Sequence, residues 1–295
     1  MTLLNSIFLG IIQGLAEFLP ISSSGHLAIF QEIFGINNNI DSNLLMIFDV
    51  MLHFGTLIAI FVALWRDIRK LFIEGCLIIR DSFVDLGLLF YNLFHGNNKK
   101  PYKKIVNSPY RKFVMLVIVS TIPTGIIGIL LDDIVESAAT SLIITGICLV
   151  ITGILLMIAD MTPAGRKRPK QVTYREAGAI GVVQGLATLP GISRSGSTIT
   201  ACLLCGFDKS FAVKYSFIMS VPAVLGAVVL KVKDLFGLSV SASDMTNMGI
   251  GTVISAIVGY VCIKTMLIVV RGKKFKYFAY YCFIAGTFSI IWYLV

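Results

Sequence analysis

The chain has 295 residues, of which 56% are hydrophobic and only 14% are charged. Soluble domains carry about 25% charged residues, so this composition excludes an ordinary soluble protein and indicates a membrane protein. The net charge is +9, but no basic stretch alternates with aromatic residues. We therefore expect the basic residues to occupy cytoplasmic loops rather than to bind nucleic acid.

Six stretches are apolar and long enough to span a bilayer as helices. The clearest are Leu142–Ala159 and Tyr277–Val295, which contain no charged residue. In chain order, the predicted spans are residues 48–65, 111–131, 141–160, 211–231, 249–270 and 276–295. The stretch 71–94 is apolar but contains four charged residues, and we predict that it lies at the membrane interface.

Two further apolar stretches, residues 7–30 and 178–206, are interrupted near their middles by Pro, Gly and Ser. A continuous transmembrane helix would not contain such a segment at its centre. Non-helical backbone at membrane depth is tolerated only where it is buried in protein or lines a wet cavity. We therefore predict two re-entrant helix–loop–helix hairpins, each of which enters and leaves on one face of the membrane.

The basic residues divide unevenly between the two sides of this topology. Of the 25 Lys and Arg residues, 22 lie in segments assigned to one side, while Lys231 and Lys233 lie on the other and Arg194 lies inside the second hairpin. Basic loops face the cytoplasm by the positive-inside rule. The sequence therefore predicts cytoplasmic basic loops and two termini on the outer side.

The two interrupted stretches are related to each other in sequence. Residues 10–16 (GIIQGLA) match residues 181–187 (GVVQGLA), and residues 21–25 (ISSSG) match residues 192–196 (ISRSG). The offset is 171 residues in both matches, without a gap. This regularity predicts an internal duplication.

We predict a single membrane domain, residues 1–295, built from two repeats. Repeat one covers about 7–160, with an interfacial insertion at about 66–110, and repeat two covers about 178–295. Each repeat has three spans, and because three is odd the second must insert upside down. The predicted fold class is an all-α integral membrane protein with six transmembrane helices and two re-entrant hairpins in an inverted-topology repeat, an arrangement whose broken helices meet near the bilayer midplane.

Glu17 and Arg194 are the two ionisable residues that stand out within these hairpins. An ionised side chain inside the membrane costs at least ~2.5 kcal/mol and marks a functional site by default. The alternative is an ion pair that merely joins the two tips, but buried ion pairs stabilise poorly compared with apolar substitutes. We expect an active site divided between the two halves.

Gln13 precedes Glu17 by four residues, so both side chains lie on one helix face. Their equivalents in the second half are Gln184 and Thr188, so the acid occurs once. A carboxylate beside an amide suits a hard divalent cation, Mg²⁺ or Ca²⁺, which takes oxygen ligands and retains several waters. We therefore predict Glu17 and Gln13 as metal ligands.

Each hairpin has a Ser-rich turn where a helix should begin. Hydroxyls and free backbone N–H groups at a helix N-terminus bind anions, although plain helix capping is the alternative. Arg194 can bind phosphate in a bidentate manner, so the predicted ligand is a phosphate or a diphosphate. The candidate binding residues are Ser22, Ser23, Ser24, Gly25, Ser193, Arg194, Ser195, Gly196 and Ser197.

Ser23 occupies the position equivalent to Arg194 and is our candidate for the nucleophile or the main phosphate ligand. His26 follows the same turn and is a candidate base or proton carrier; a structural, hydrogen-bonded histidine is the alternative. We assign no role to His53. The pair Cys202 and Cys205 lacks further ligands, so we predict no metal or redox site there.

The stretches 13–26 (QGLAEFLPISSSGH) and 189–197 (LPGISRSGS) resemble the two signatures of the undecaprenyl-diphosphate phosphatase family of the bacitracin-resistance type. The hydrophobic profile fits that family over nearly the whole chain. The resemblance implies hydrolysis of undecaprenyl diphosphate to the monophosphate and inorganic phosphate, which recycles the lipid carrier for cell-wall synthesis. It also implies a multi-pass protein of the bacterial cytoplasmic membrane.

For the site, the resemblance implies that Glu17 supports catalysis through a divalent cation, with Gln13 at a variable first position. It places Ser23 and His26 near the phosphates and has Arg194 clamp them. Glutamine at position 13, rather than glutamate, removes one negative charge from the expected metal site. A second type of bacterial lipid phosphatase fits poorly, since Thr200 stands where its pattern requires histidine.

Two other classes of function are also compatible with the sequence. Inverted repeats with broken helices are also the plan of transporters, so a polyprenyl-phosphate transporter or flippase is the main alternative. A scaffold protein would leave the two intramembrane charges unexplained. As partners we expect the polyprenyl diphosphate lipid and the membrane but no nucleic acid, with a homodimer as an assembly that the sequence leaves open.

Overall fold

The computed structural model describes residues 1–36, 40–95, 98–163, 165–235, 240–270 and 274–294. Within these ranges the chain forms α-helices, one 3₁₀ turn at Pro169–Gln171 and no β-strand. The helices are α1 Leu3–Phe18, α2 Ser23–Ile33, α3 Ser42–Ala63, α4 Trp65–Phe94, α5 Pro109–Leu130, α6 Asp132–Ala139, α7 Leu142–Met161, α8 Tyr174–Leu186, α9 Arg194–Leu204, α10 Lys209–Leu235, α11 Ala242–Val269 and α12 Phe275–Leu294.

Six helices of the described chain, α3, α5, α7, α10, α11 and α12, are long and apolar enough to cross a membrane. The six predicted spans are therefore confirmed, and the chain is a multi-span membrane protein. The largest differences are at α11, which begins at Ala242 rather than at residue 249, and at α3, which begins at Ser42 rather than near residue 48. The Asp41 carboxylate caps this helix by accepting hydrogen bonds from the backbone N–H groups of Asn43 and Leu44.

Both interrupted stretches form two helices rather than one. The first break lies at residues 19–22, between α1 and α2, and the second at residues 187–193, between α8 and α9. Ser22 and Ser193 cap the second helix of each pair, since their side chains accept hydrogen bonds from the backbone N–H groups of Gly25 and Gly196. The Ser-rich turns thus begin helices, as the sequence predicts.

Equivalent glycines hold the two broken pairs against long helices. A Cβ on Gly10 of α1 would lie 2.6 Å from the carbonyl oxygen of Gly251 in α11. A Cβ on Gly181 of α8 would lie 2.2 Å from the carbonyl oxygen of Ser120 in α5. Backbones this close leave no room for a side chain, so each half fixes its broken pair in the same way.

The stretch predicted to be interfacial forms α4, a helix of 30 residues. The Arg111 guanidinium at the start of α5 pairs with Glu74 at 3.0 Å and with Asp81 at 2.8 Å. Hydrogen bonds from Arg80 and Arg111 lower the pKa of Asp81 to about 2. This cluster fixes α4 to α5, and the interfacial position of α4 stays a prediction.

The short helix α6 was not predicted from the sequence.

The prediction that the basic loops face the cytoplasm rests partly on four basic residues whose side chains lie outside the described residues, namely Lys231, Lys233, Arg271 and Lys273.

Candidate active site

The structure brings the two Ser-rich turns into direct contact. A Cβ on Gly25 would lie 2.9 Å from the Cα of Gly191, and a Cβ on Gly196 would lie 3.3 Å from the Cβ of Pro20. Gly191 has a φ of +91°, a conformation that residues with side chains rarely adopt. The two turns therefore pack closely, through the backbones of Gly25 and Gly191 and through the Pro20 ring against Gly196, and the first turns of α2 and α9 come together.

Glu17 and Arg194 form an ion pair across this contact, between Glu17 Oε1 and the Arg194 guanidinium. The other carboxylate oxygen, Oε2, accepts a hydrogen bond of 2.5 Å from Ser23 Oγ and one of 3.2 Å from Gln13 Nε2. The Glu17 side chain is 5% exposed and that of Arg194 is 19% exposed. Residues from both halves thus form one polar cluster around a single carboxylate.

The backbone of Ser22 is strained to make this arrangement. Its φ is 73°, and it is the sole non-glycine residue with a positive φ among those described. Such a conformation costs about 1–3 kcal/mol and is typical of functional sites. The strained residue lies between Glu17 at the end of α1 and Ser23 at the start of α2, so the unusual turn sets the short Ser23–Glu17 hydrogen bond.

A cavity of about 220 Å³ lies at the junction of the two turns. Its walls come from both broken helix pairs and from α3, α5 and α10. Seven of the predicted site residues line this cavity, namely Glu17, Ser22, Ser23, Ser24, Ser193, Arg194 and Ser195. The other predicted residues, Gln13, Gly25, His26, Gly196 and Ser197, are outside the lining, although Gln13 contacts Glu17 and the two glycines form the turn contact.

His26 is placed differently from the other candidates. Its Nδ1 atom lies 2.7 Å from the carbonyl oxygen of Ser22, and its Nε2 atom lies 2.7 Å from the hydroxyl of Tyr281 in α12. The two rings stack with centroids 5.4 Å apart. Both ring nitrogens are therefore engaged in structural contacts, and a base function for His26 would require one of these contacts to break.

His53 of α3, which was not among the predicted site residues, lines the cavity. Its Nε2 atom lies 3.8 Å from Glu17 Oε2, and its Nδ1 atom lies 2.8 Å from the carbonyl oxygen of Asp49. The signal was present, because an ionisable residue inside a predicted span is a candidate by the rule that selected Glu17. Thr124 and Gln184 also line the cavity without having been assigned a role.

The cavity combines features that favour an anionic ligand. The N-termini of α2 and α9 both lie at it, and each contributes partial positive charge and free backbone N–H groups. Arg194 adds a full positive charge, and the surrounding serines add hydroxyl donors. Glu17 supplies one carboxylate beside the Ser23 hydroxyl. This arrangement can bind a phosphate group and place a hydroxyl and a proton acceptor next to it.

The residues also allow a test of the expected divalent cation. The described residues contain no group of three His, Cys, Asp or Glu side chains that could hold a metal ion. However, the buried Oε1 atom of Gln13 has no hydrogen-bond partner in the described part of the chain, and it belongs to a residue that contacts Glu17. Mg²⁺ usually binds through one or two carboxylates plus substrate phosphates. The donor set therefore fits a cation bound jointly with phosphate.

These observations define a multi-span membrane protein with a polar cavity where two broken helix pairs meet. Residues 6–288 match the family model described as bacitracin resistance protein BacA, and the chain belongs to this family. It is 39% identical over 291 residues to an undecaprenyl-diphosphatase of Methanosphaera stadtmanae, covering 98% of this chain and 97% of that protein.

Similar relatives occur in other organisms. The chain is 40% identical to an undecaprenyl-diphosphatase of Halothermothrix orenii, covering 99% of this chain and 98% of the relative. It is 38% identical to one of Alkaliphilus metalliredigens over the full length of both chains. The predicted family resemblance is thus confirmed over almost the entire chain.

Proposed function

We propose that this protein is a phosphatase that hydrolyses undecaprenyl diphosphate to the monophosphate and inorganic phosphate. The single observation that supports this most directly is the cluster of Ser23, Glu17 and Arg194 in one cavity at two helix N-termini. The names of the full-length relatives agree with this chemistry. They do not favour the alternative of a transporter or flippase.

The proposed reaction begins when the terminal phosphate of the lipid enters the cavity. Arg194 and the N–H groups at the starts of α2 and α9 would stabilise negative charge on the transferred phosphoryl group, which is the main contribution to phosphoryl-transfer catalysis. Because Arg194 pairs with Glu17 in the ligand-free protein, the guanidinium would divide its hydrogen bonds between the carboxylate and the phosphate.

Ser23 is the proposed nucleophile, and Glu17 the proposed acceptor of its proton, because the two oxygens lie 2.5 Å apart. Attack forms a bond between Ser23 Oγ and phosphorus and breaks the anhydride bond, so that undecaprenyl monophosphate leaves. Water then hydrolyses the phosphoserine and releases inorganic phosphate. In the alternative route Ser23 orients a water that attacks directly. The predicted role of His26 as base stays part of the proposal, and it would require the ring to give up its contact with Ser22 or with Tyr281.

The divalent cation, Mg²⁺ or Ca²⁺, stays a proposal as well. Gln13 Oε1, the Glu17 carboxylate and the Ser23 hydroxyl would hold it together with phosphate oxygens. When bound, it would supply positive charge that neutralises the diphosphate. The remaining serines of the two turns, including Ser24, Ser195 and Ser197, are proposed to bind the phosphates.

The finer points of the fold belong to the same proposal. The two broken helix pairs would be re-entrant hairpins that enter from opposite faces, within one membrane domain made of two inverted repeats. This arrangement is supported by the sequence repeat and by the equivalent glycine contacts at Gly10 and Gly181. The proposed location is the bacterial cytoplasmic membrane. A homodimer stays a prediction, which cross-linking in native membranes would test.

Phosphate release by the purified protein tests the proposed function. The protein would be incubated with undecaprenyl diphosphate in detergent micelles, with Mg²⁺ or Ca²⁺ and with chelator. We expect one inorganic phosphate and one undecaprenyl monophosphate per turnover. A protein that is folded but releases no phosphate with either cation would contradict the proposal, and lipid movement across vesicles without bond cleavage would support the transporter instead.

A further inference from the structure

Helix α3 of the first half packs tightly along α11. A Cβ on Gly55 would lie 2.3 Å from the carbonyl oxygen of Thr252, and the Ser255 hydroxyl donates a hydrogen bond of 3.0 Å to the carbonyl oxygen of Leu52. The boundary between these two helices is therefore closed at the level of Gly55.

The equivalent boundary in the second half lies between α10 and α5. Gly226 of α10 follows Gly55 by the same offset of 171 residues that relates the hairpins. A Cβ on Gly226 would meet no described atom within 4 Å. The same holds for Gly128 of α5, one helical turn beyond the cavity residue Thr124. The boundary that is closed in one half is thus open in the other.

The two helices do contact each other nearer to their N-terminal ends. The rings of Phe113 and Phe211 are 5.4 Å apart, and the hydroxyls of Ser120 and Tyr215 are hydrogen-bonded. Further along, toward the C-terminal ends, a Cβ on Gly128 or on Gly226 would meet no described atom within 4 Å, which indicates that α5 and α10 separate there. We call this opening, bounded by Gly128 and Gly226, the α5–α10 gap.

The active-site cavity reaches this gap. Ala223, Val224 and Ala227 of α10 line the cavity together with Thr124 of α5, and Ala227 is also exposed at the surface. The equivalents in α3, 171 residues earlier, are Leu52, His53 and Thr56. The second half thus has small or apolar side chains where the first half has larger or polar ones.

The polar groups lie at the inner side of the gap. Gln184 is 1% exposed and donates hydrogen bonds to Thr124 Oγ1 at 3.3 Å and to the carbonyl oxygen of Met219 at 3.4 Å. The Oε1 atom of Gln184 has no hydrogen-bond partner in the described chain, and Gln184 lines the cavity. A ligand that is polar at one end and apolar at the other would match this gradient.

We propose that the α5–α10 gap binds the apolar polyprenyl tail of a lipid diphosphate whose phosphates occupy the cavity. This inference rests on the proposed function and adds the path by which the substrate lies across the protein. A tail in the gap remains in contact with lipid on its outer side, so the long chain need not be enclosed. Small residues at the gap keep the path open.

Leucine substitutions that narrow the gap test this proposal. Gly226→Leu and Gly128→Leu each place a branched side chain in the open space. The measurement is kcat/KM for undecaprenyl diphosphate and for geranyl diphosphate, whose tail is far shorter. We expect the ratio of kcat/KM for undecaprenyl diphosphate to kcat/KM for geranyl diphosphate to fall at least about tenfold. The long tail loses its binding path in these variants, whereas the short tail extends little beyond the cavity.

Gly249→Leu is the matched control. Gly249 is also in a long helix, α11, and an added Cβ there likewise meets no described atom within 4 Å, yet it is outside the cavity lining. We expect the wild-type ratio in this variant. An unchanged ratio in both gap variants, or an equal fall in the control, would overturn the tail site. Wild-type protein that is folded but hydrolyses neither substrate would instead overturn the proposed function.

A second measurement uses only the wild-type protein. An undecaprenyl diphosphate analogue with a photoreactive group in its tail would be cross-linked to the wild-type protein, and the labelled peptides identified by mass spectrometry. We expect label on α5 and on α10. Label concentrated on α3 and α11 would overturn the tail site even if the protein is an active phosphatase.

Discussion

His53 Nε2 lies 3.8 Å from Glu17 Oε2, the carboxylate oxygen that also accepts the hydrogen bond from the Ser23 hydroxyl. The Nδ1 atom of His53 is 2.8 Å from a backbone carbonyl oxygen, which can only accept, so Nδ1 must carry hydrogen. In the neutral ring the lone pair is then on Nε2. His53 is therefore set up to accept a proton at the cavity, whereas His26 has both ring nitrogens engaged.

We therefore predict different consequences for the two histidines. His53→Gln should lower kcat at least about 100-fold, since a general acid or base typically contributes about 10²–10⁴-fold. His26→Gln should lower thermal stability, since a buried hydrogen bond is lost at a cost of about 1–2 kcal/mol, with a smaller effect on kcat. Phosphate release and thermal unfolding of both variants provide the comparison. The opposite pattern would favour His26 over His53 as a proton carrier.

The histidines also show what the sequence could and could not predict. Hydropathy predicts the six spans, and the Pro, Ser and Gly residues predict the two helix breaks. The cost of intramembrane charge predicts that Glu17 and Arg194 meet. The position of His53 depends on how α3 is rotated against α1, and the α5–α10 gap depends on where two long helices separate. Both are properties of helix packing, which one sequence does not reveal.

The Glu17–Arg194 pair leads to a second prediction. Glu17→Gln and Arg194→Ala should each lose nearly all activity, because one removes the proton acceptor and the other the phosphate clamp. Removing one partner of a fully buried ion pair costs about 3–5 kcal/mol. Because Arg194 is partly exposed, Arg194→Ala should destabilise the protein by less than this. Glu136→Gln, at an exposed position of α6, is the control. Normal turnover in either site variant would disprove its assigned role.

Gln13 provides a test of the divalent cation that does not depend on abolishing activity. Gln13→Glu would place a second carboxylate beside Glu17 and should strengthen cation binding, because a hard cation prefers charged oxygen ligands. We expect half-maximal phosphate release at a lower Mg²⁺ concentration than in the wild type. Gln184→Glu, at the equivalent position of the second half, is the comparison and should not lower that concentration. An unchanged Mg²⁺ dependence in Gln13→Glu would place the cation elsewhere.

The contact between the two turns gives the last prediction. Gly191 has a φ of +91°, and a Cβ there would lie 2.3 Å from the carbonyl oxygen of Thr145. Gly191→Ala should therefore destabilise the protein by at least about 1–3 kcal/mol and reduce activity, because the turn cannot keep its position.

Gly178→Ala in α8 is the matched control, since its added Cβ meets no described atom within 4 Å. Alanine is the better helix former by up to about 1 kcal/mol, so thermal unfolding should show an equal or higher stability for that variant. If Gly191→Ala unfolds at the wild-type temperature with normal activity, the close packing of the two turns is not what positions Ser23 and Arg194.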